Sequence, residues 1–463
     1  MLMNKEEHLH NMRAKLREQI YSFVLSQIGF PQFKKLEREF KTRLRSSGLE
    51  LQLLPPLKLN YAFDIWLNFI YVYKNGNRAV EWFFETHGHT LSPGEKKGIE
   101  AWLHQTPALV QTVDQNKKGV WFEDCLSGRR FFIPRMGLVT DLTPWGITYA
   151  LFAKNPREGF QTEGSFCFAP NLLPDLLEKV TELAKQTSRS PQTVLRENYP
   201  EIIAHFFIKQ LMHDNEMEEV EWTLVYKMED RKEVIWRWTQ RHEWQLHPEE
   251  NCIPCIYQWY RYDDSEVPAP IYIGQIEDRI LIKGDQFIFK TRDKDKMHSF
   301  QIMAHEEFRS IMTLVDRRCE NMSLNLWTNT HSFLIKRNGK VPDYFYEFAA
   351  KRVLNHDLVT KPLPCFNLQS PKDLMNNGHH DWVECYLRHA EYDENFTMRL
   401  QYPKETVTPD YNVFRKALDL PFSPFVTGGK SRLTSLTPID PPNLNDPSQF
   451  MEVALTAVSG EVL

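Results

Sequence analysis

Several familiar signatures are missing from this chain, and each absence narrows what it can be. No stretch approaches the ~18 uninterrupted apolar residues that a membrane span needs. No Gly-x-Gly-x-x-Gly, phosphate-binding Walker loop, His-Glu-x-x-His or Gly-x-Ser-x-Gly is present, so the common nucleotide, zinc-protease and serine-hydrolase sites have no sequence basis. His305-Glu306-Glu307 lacks the second histidine four residues after the first. Cysteine is sparse and odd in number, seven in 463 residues without a repeated spacing, which opposes a disulfide framework. The first residues, Met1 to Lys15, contain no apolar core of a secretory signal, so a reducing cytoplasm is the expected compartment. A surplus of positive charge is also missing. The formal net charge is −5, which argues against wrapping of nucleic acid by the whole chain.

Aromatic residues, in contrast, are plentiful. Thirty Phe, seventeen Tyr and twelve Trp bring the aromatic share to 13%, enough for large buried cores without metal or disulfides. A chain of this length should divide into several domains. The expected class is α+β: a helical N-terminal region (1–105), a small β-rich module (106–170), a helical connector (171–218), a larger antiparallel sheet backed by helices (219–355), a helical C-terminal region (356–420) and a flexible tail (421–463).

In the first region Leu16, Ile20 and Phe23, then Phe33, Leu36, Phe40 and Leu44, recur at helical spacing on either side of Gly29-Phe30-Pro31. Tyr61 to Tyr73 reads as a strongly apolar helix. Ser92-Pro93-Gly94-Glu95 has a serine cap, a proline at the first helical position and a glutamate that reaches back to the cap. Ser370-Pro371-Lys372-Asp373 repeats the pattern and Ser190-Pro191 repeats part of it. Val120 to Ile133 reads as two strands about Ser127-Gly128. From Val220 to Lys290 alternating aromatic-rich segments predict one twisted sheet, with Glu233 to Gln240 as one of its strands. Arg279 to Lys290 is a hairpin about Gly284-Asp285. Ser299 to Cys319 predicts a helix with Ile302, His305, Phe308, Ile311, Met312 and Val315 on one face. Beyond Leu420 the chain is rich in Pro, Ser, Thr and Asn, a composition that predicts a mobile tail.

Candidate chemistry is thin. If a cofactor is bound, zinc is the one implied, at His242, His247, Cys252 and Cys255, because a two-residue gap lets two thiolates grip one ion. The plain alternative is ordinary loop and strand residues. Asp381, Cys385 and His389, behind His379 and His380, would align on a helix as a metal or Cys–His site, or simply as a polar stripe. His87 and His89 flank a loop glycine. Asp263, Asp264, Glu266 and Glu277 with Lys283 have the residue types of a metal-dependent nuclease, though acids on strand edges are common. Nucleic acid would be met by Lys34, Lys35, Arg38, Lys41, Arg43 and Arg45 on the N-terminal helices, and by Arg237 and Arg261, whose neighbours Trp236, Trp238, Trp259, Tyr260 and Tyr262 could stack bases. The same aromatics serve equally as the core face of a sheet.

Taken together, the apolar segment Phe63 to Tyr73, the turn Leu126-Ser127-Gly128-Arg129-Arg130-Phe131, the hairpin from Ile273 to Phe289, the helix start Ser370 to Leu374 and the segment Phe414 to Leu420 resemble a group of uncharacterised bacterial proteins that often end in a zinc-binding SEC-C motif. The resemblance runs over residues 55 to 420. The SEC-C cysteine cluster is absent from this C-terminus, so its zinc site does not carry over, and no catalytic residue does either. The expected role is a non-enzymatic adaptor or sensor with a protein partner. Nucleic-acid binding and metal-dependent hydrolysis are the alternatives.

Overall fold

The computed structural model describes residues 5–116, 118–134, 143–153, 162–213, 218–241, 252–291, 293–323, 330–442 and 449–456. The chain forms two compact units. One holds residues 1–213 and 381–396, the other 214–380 and 397–461. Both mix helices with antiparallel sheets, as the α+β expectation requires.

The first unit opens with α1 (Lys5–Ser46), which kinks at Gly29 (φ 72°, ψ 161°) ahead of Pro31. Glycine tolerates this positive φ and proline cannot donate the helical hydrogen bond, so the two together break the helix where the sequence places them. The apolar stripe Leu16, Ile20, Phe23, Leu36, Phe40 and Leu44 is buried. Next come α2 (Pro56–Ile65), a π-helical turn over Trp66–Ile70, α3 (Ala79–His87) and α4 (Pro93–Leu103). At α4 the Ser92–Glu95 capping box forms in both directions.

A five-stranded sheet follows: β1 (Gln105–Asn116), β2 (Gly119–Asp124), β3 (Arg130–Pro134), β4 (Ile147–Ala153) and β5 (Thr162–Phe168), in the order β3-β2-β1-β4-β5. Then come α5 (Leu173–Thr187), α6 (Pro191–Glu197), which Ser190 caps, and α7 (Tyr199–His213). Alternation splits the sheet into two apolar faces. Leu109, Ile147, Tyr149, Leu151, Phe166 and Phe168 join the helices in one core, while Val110, Val120, Phe122, Ile133, Ala150 and Phe152 form a second cluster.

The second unit contains two sheets where the sequence suggests one. β6 (Glu218–Met228) is followed by α8 (Arg231–Thr239), β7 (Cys252–Cys255), β8 (Trp259–Asp264), β9 (Ile271–Ile276), β10 (Asp278–Lys283), β11 (Gln286–Thr291), α9 (Lys294–Phe308), β12 (Met312–Ser323) and β13 (Thr330–Lys336). Beyond these lie α10 (Tyr344–Leu354), α11 (Pro371–Asn376), α13 (Asn412–Ala417), β14 (Thr434–Ile439) and β15 (Phe450–Thr456), while α12 (His380–Gln401) gives its residues 381–396 to the first unit. One sheet has the order β12-β6-β11-β10-β7, the other β14-β8-β9-β13-β15.

Three expectations are corrected here. Glu233 to Thr239 is helix, not strand, because Asp230 caps it by accepting from the Glu233 amide. Trp238 is fully buried and stacks on Phe300 (5.0 Å, 4°) and Phe308 (4.7 Å, 9°), while Trp236 points outward. The helix expected up to Cys319 ends at Phe308, and from Met312 the chain is strand. The expected mobile tail supplies both edge strands of the second sheet: β14 pairs with β8 and β15 with β13.

Candidate functional site

The cysteine pair of the suspected zinc site lies in β7. Cys255 stands opposite Asp278 and Cys252 opposite Leu281. Residues three apart on a pleated strand point to opposite faces, so the strand separates the two thiols that a single ion would have to join. Cys255 is fully buried in the core beneath α8 and α9. His242 and His247 lie outside the described residues. Among the described residues no group of three or more His, Cys, Asp and Glu gathers in a way that could hold a metal ion.

On α12 the stripe Asp381, Cys385 and His389 does form a helical row. Burial pushes the Cys385 thiol up, Glu384 adds to that and Arg388 opposes it, the reverse of what a nucleophilic thiolate needs. His389 Nε2 lies 3.9 Å from Asp393 Oδ2, one turn along the same helix. His87 stacks on Phe83 at 5.1 Å and meets Phe23 edge-on, as core histidines do.

The basic residues are largely engaged by neighbouring acids. Lys34 and Lys41 both hold Glu37 at 2.7 Å. Arg43 clasps both Glu201 oxygens at 2.7 Å and reaches the Glu197 carbonyl. Arg38 donates to the Lys34 carbonyl, and Lys35 and Arg45 are exposed. Arg237 pairs with Glu233 on α8, and Arg261 with Asp263 on its own strand. Of the rings proposed for base stacking, Trp238, Trp259 and Tyr262 are buried in cores, Tyr260 is half-buried and Trp236 is exposed. The supposed nuclease acids also part company. Asp263 faces Arg261, Glu277 faces Lys296, and Asp264 is buried with Arg432.

Three buried polar clusters emerge that no local pattern announces. In the first unit Glu163, wholly buried, receives Arg17 Nη1 at 2.8 Å and Arg13 Nε at 3.3 Å. Burial pushes the neighbouring Tyr61 hydroxyl up to about 12, and the Glu163 charge reinforces it. In the same unit Trp145, held at φ 61°, donates its indole N–H to buried Glu391 at 2.7 Å. Arg388 lies 4.4 Å over the Trp145 ring and donates to Gln111 at 2.9 Å. In the second unit Arg432 forks onto both Asp264 oxygens (3.1 and 2.7 Å) and donates to the Thr408 carbonyl, while Tyr262 donates to Asp264 at 2.7 Å. The partners are 146, 246 and 168 residues apart in the sequence, so spacing could not reveal them. In each cluster a buried carboxylate accepts at least one hydrogen bond from a side chain of the same unit, an arrangement that suits fixing a fold.

One element is conspicuously open. β12 is 12 residues long and lies at the edge of its sheet, hydrogen-bonded to β6 on one side. Among the described residues every other sheet edge is shorter, from four residues in β7 to seven in β5 and β15. Thr313, Leu314, Val315, Arg317, Arg318, Cys319 and Glu320 are exposed. A bulge interrupts the ladder between Leu314 and Asp316, and beyond it the register with β6 runs unbroken from Asp316 to Ser323. Alternate backbone N–H and C=O groups of such a strand point away from its neighbour, towards water.

No protein-family model, curated protein or solved structure matches this chain. Among the described residues no helix is long and apolar enough to cross a membrane.

Proposed function

We propose that this chain is a non-enzymatic interaction protein, an adaptor or sensor of the cytoplasm, that takes a further polypeptide strand on the edge of β12. The observation that supports this is the length and exposure of β12, set against polar clusters closed within the fold. An exposed edge of this length is a template for strand addition, in which main-chain hydrogen bonds supply affinity and alternate side chains supply selectivity. The nucleic-acid reading has less behind it, since Lys34, Lys41, Arg43, Arg237 and Arg261 already face acids.

The test compares the full chain with the double variant Leu314→Lys/Cys319→Lys, because lysine on an edge strand opposes further pairing. Both positions are exposed, so folding should persist and the thermal melt should be unchanged. Native mass spectrometry of each protein drawn from its own cells should show a stoichiometric polypeptide complex for the parent chain and its loss in the variant. Equal association in both would remove the proposal.

A further inference from the structure

We infer that the strand which closes β12 is β12 of a second copy of this chain, paired antiparallel about Cys319. The inference rests on the strand-addition reading and names its partner.

Geometry first limits the registers. A twofold axis that merges two edge strands into one continuous antiparallel sheet stands perpendicular to that sheet. Such an axis keeps every residue on its own face, so a residue can stand opposite only residues of its own face. Beyond the bulge the faces are set by the pairing with β6. Asp316, Arg318 and Glu320 lie opposite Val225, Thr223 and Glu221 on one face, and Arg317 and Cys319 lie opposite Leu224 and Trp222 on the other.

Charge then selects among what remains. An axis at Asp316 opposes two aspartates. An axis at Arg317 or Arg318 opposes two arginines, and the latter also sets Asp316 against Glu320. An axis at Glu320 opposes two glutamates. Between Asp316 and Ser323 only an axis at Cys319 both avoids like charges directly opposite and sets opposite charges across the pair. It sets Arg318 against Glu320 of the second copy, twice by symmetry, and Arg317 against the uncharged Asn321. Opposite charges directly across a strand pair stabilise it and like charges oppose it. Arg318 Nε already holds Asp316 Oδ2 at 2.6 Å, which lays the guanidinium along this face. The bulge lies on the Met312 side of this segment and leaves it regular. The charges that would repel a stray basic or acidic strand thus match a copy of this one.

The test is sedimentation velocity of the full chain under reducing conditions, up to about 100 µM. A dimer that grows with concentration is expected. Glu320→Arg should weaken it about tenfold, and Arg318→Glu/Glu320→Arg, which restores opposite signs, should recover it. Melting temperatures close to the parent value show that the variants are folded. As a second readout, an added copper–phenanthroline oxidant should join two Cys319 thiols and trap the dimer covalently, and Cys319→Ser should abolish the trap. A parent chain that stays monomeric, a dimer indifferent to both charge variants, or trapping that survives Cys319→Ser would each overturn the inference. A monomer that carries a different polypeptide, lost in Leu314→Lys/Cys319→Lys, would sink the second copy while sparing strand addition. Absence of any edge-dependent association would sink both.

Discussion

Arg432 shows how this fold handles charge at the level of single side chains. It comes from the segment whose composition predicts disorder, yet its side chain is wholly buried, as is that of its partner Asp264. Burial works to strip the guanidinium of its proton, and the hydrogen bonds and charge of Asp264 prevail, so the net shift is upward. Such a pair adds little over a well-packed apolar replacement, but removing one partner leaves the other charge stranded. Arg432→Ala should therefore destabilise the second unit by about 3–5 kcal/mol. Urea denaturation followed by tryptophan fluorescence should show this as a lower midpoint with little change in slope. A shift below about 1 kcal/mol, the range of surface pairs, would mean that Asp264 finds water instead. Nothing at the residue scale foretold this pair. Arg432 and Asp264 look like any surface arginine and strand-end aspartate until the chain brings them together across 168 residues. The cysteine pair offered for zinc meets a related limit: Cys-Ile-Pro-Cys suits a loop, but on a strand its two thiols diverge, and His242 and His247 lie outside the described residues.

Among elements, those with chemical punctuation were legible. Ser92, Ser190 and Ser370 cap helices as their spacing with Pro and Glu or Asp requires. The turn at Gly284, φ 62°, closes the hairpin of β10 and β11 with Lys283 opposite Gln286. Two segments misled. Trp236 and Trp238 alternate as a strand would, but the Asp230 cap and its spacing to Glu233 carried the helix signal. In α9 the apolar spacing of Ile302, Phe308, Met312 and Val315 runs smoothly past the helix end, hiding the change to the β-branched and charged run of β12. Close contacts give a test at this scale. A Cβ on Gly274 of β9 would come 2.5 Å from Ile256 Cγ2 and 3.1 Å from the Trp259 ring, whereas one on Gly339 would meet nothing within 4 Å. Gly274→Ala should cost about 1–3 kcal/mol through overpacking. Gly339→Ala should lie within about 0.5 kcal/mol of the parent. Thermal melts of the two side by side decide this, and equal melting temperatures would show that β9 yields.

For the chain as a whole, sequence order and compact unit diverge. The first unit gathers residues 381–396 to its N-terminal 213, and the second closes one sheet with strands from beyond residue 430. Local patterns cannot announce such returns, because the benefit lies in long-range contacts like Trp145 with Glu391 and β13 with β15. The α+β class and the antiparallel pairing of the strands were readable from period and turn chemistry. The division into sheets and the open edge of β12 were not. That edge carries the functional account, and hydrogen–deuterium exchange at low and high protein concentration tests it most directly. The account predicts that amides of β12 between Asp316 and Ser323 become more protected as concentration rises, and that Glu320→Arg removes this gain. Protection that ignores concentration, or that rises at another element while β12 stays fast, would contradict it.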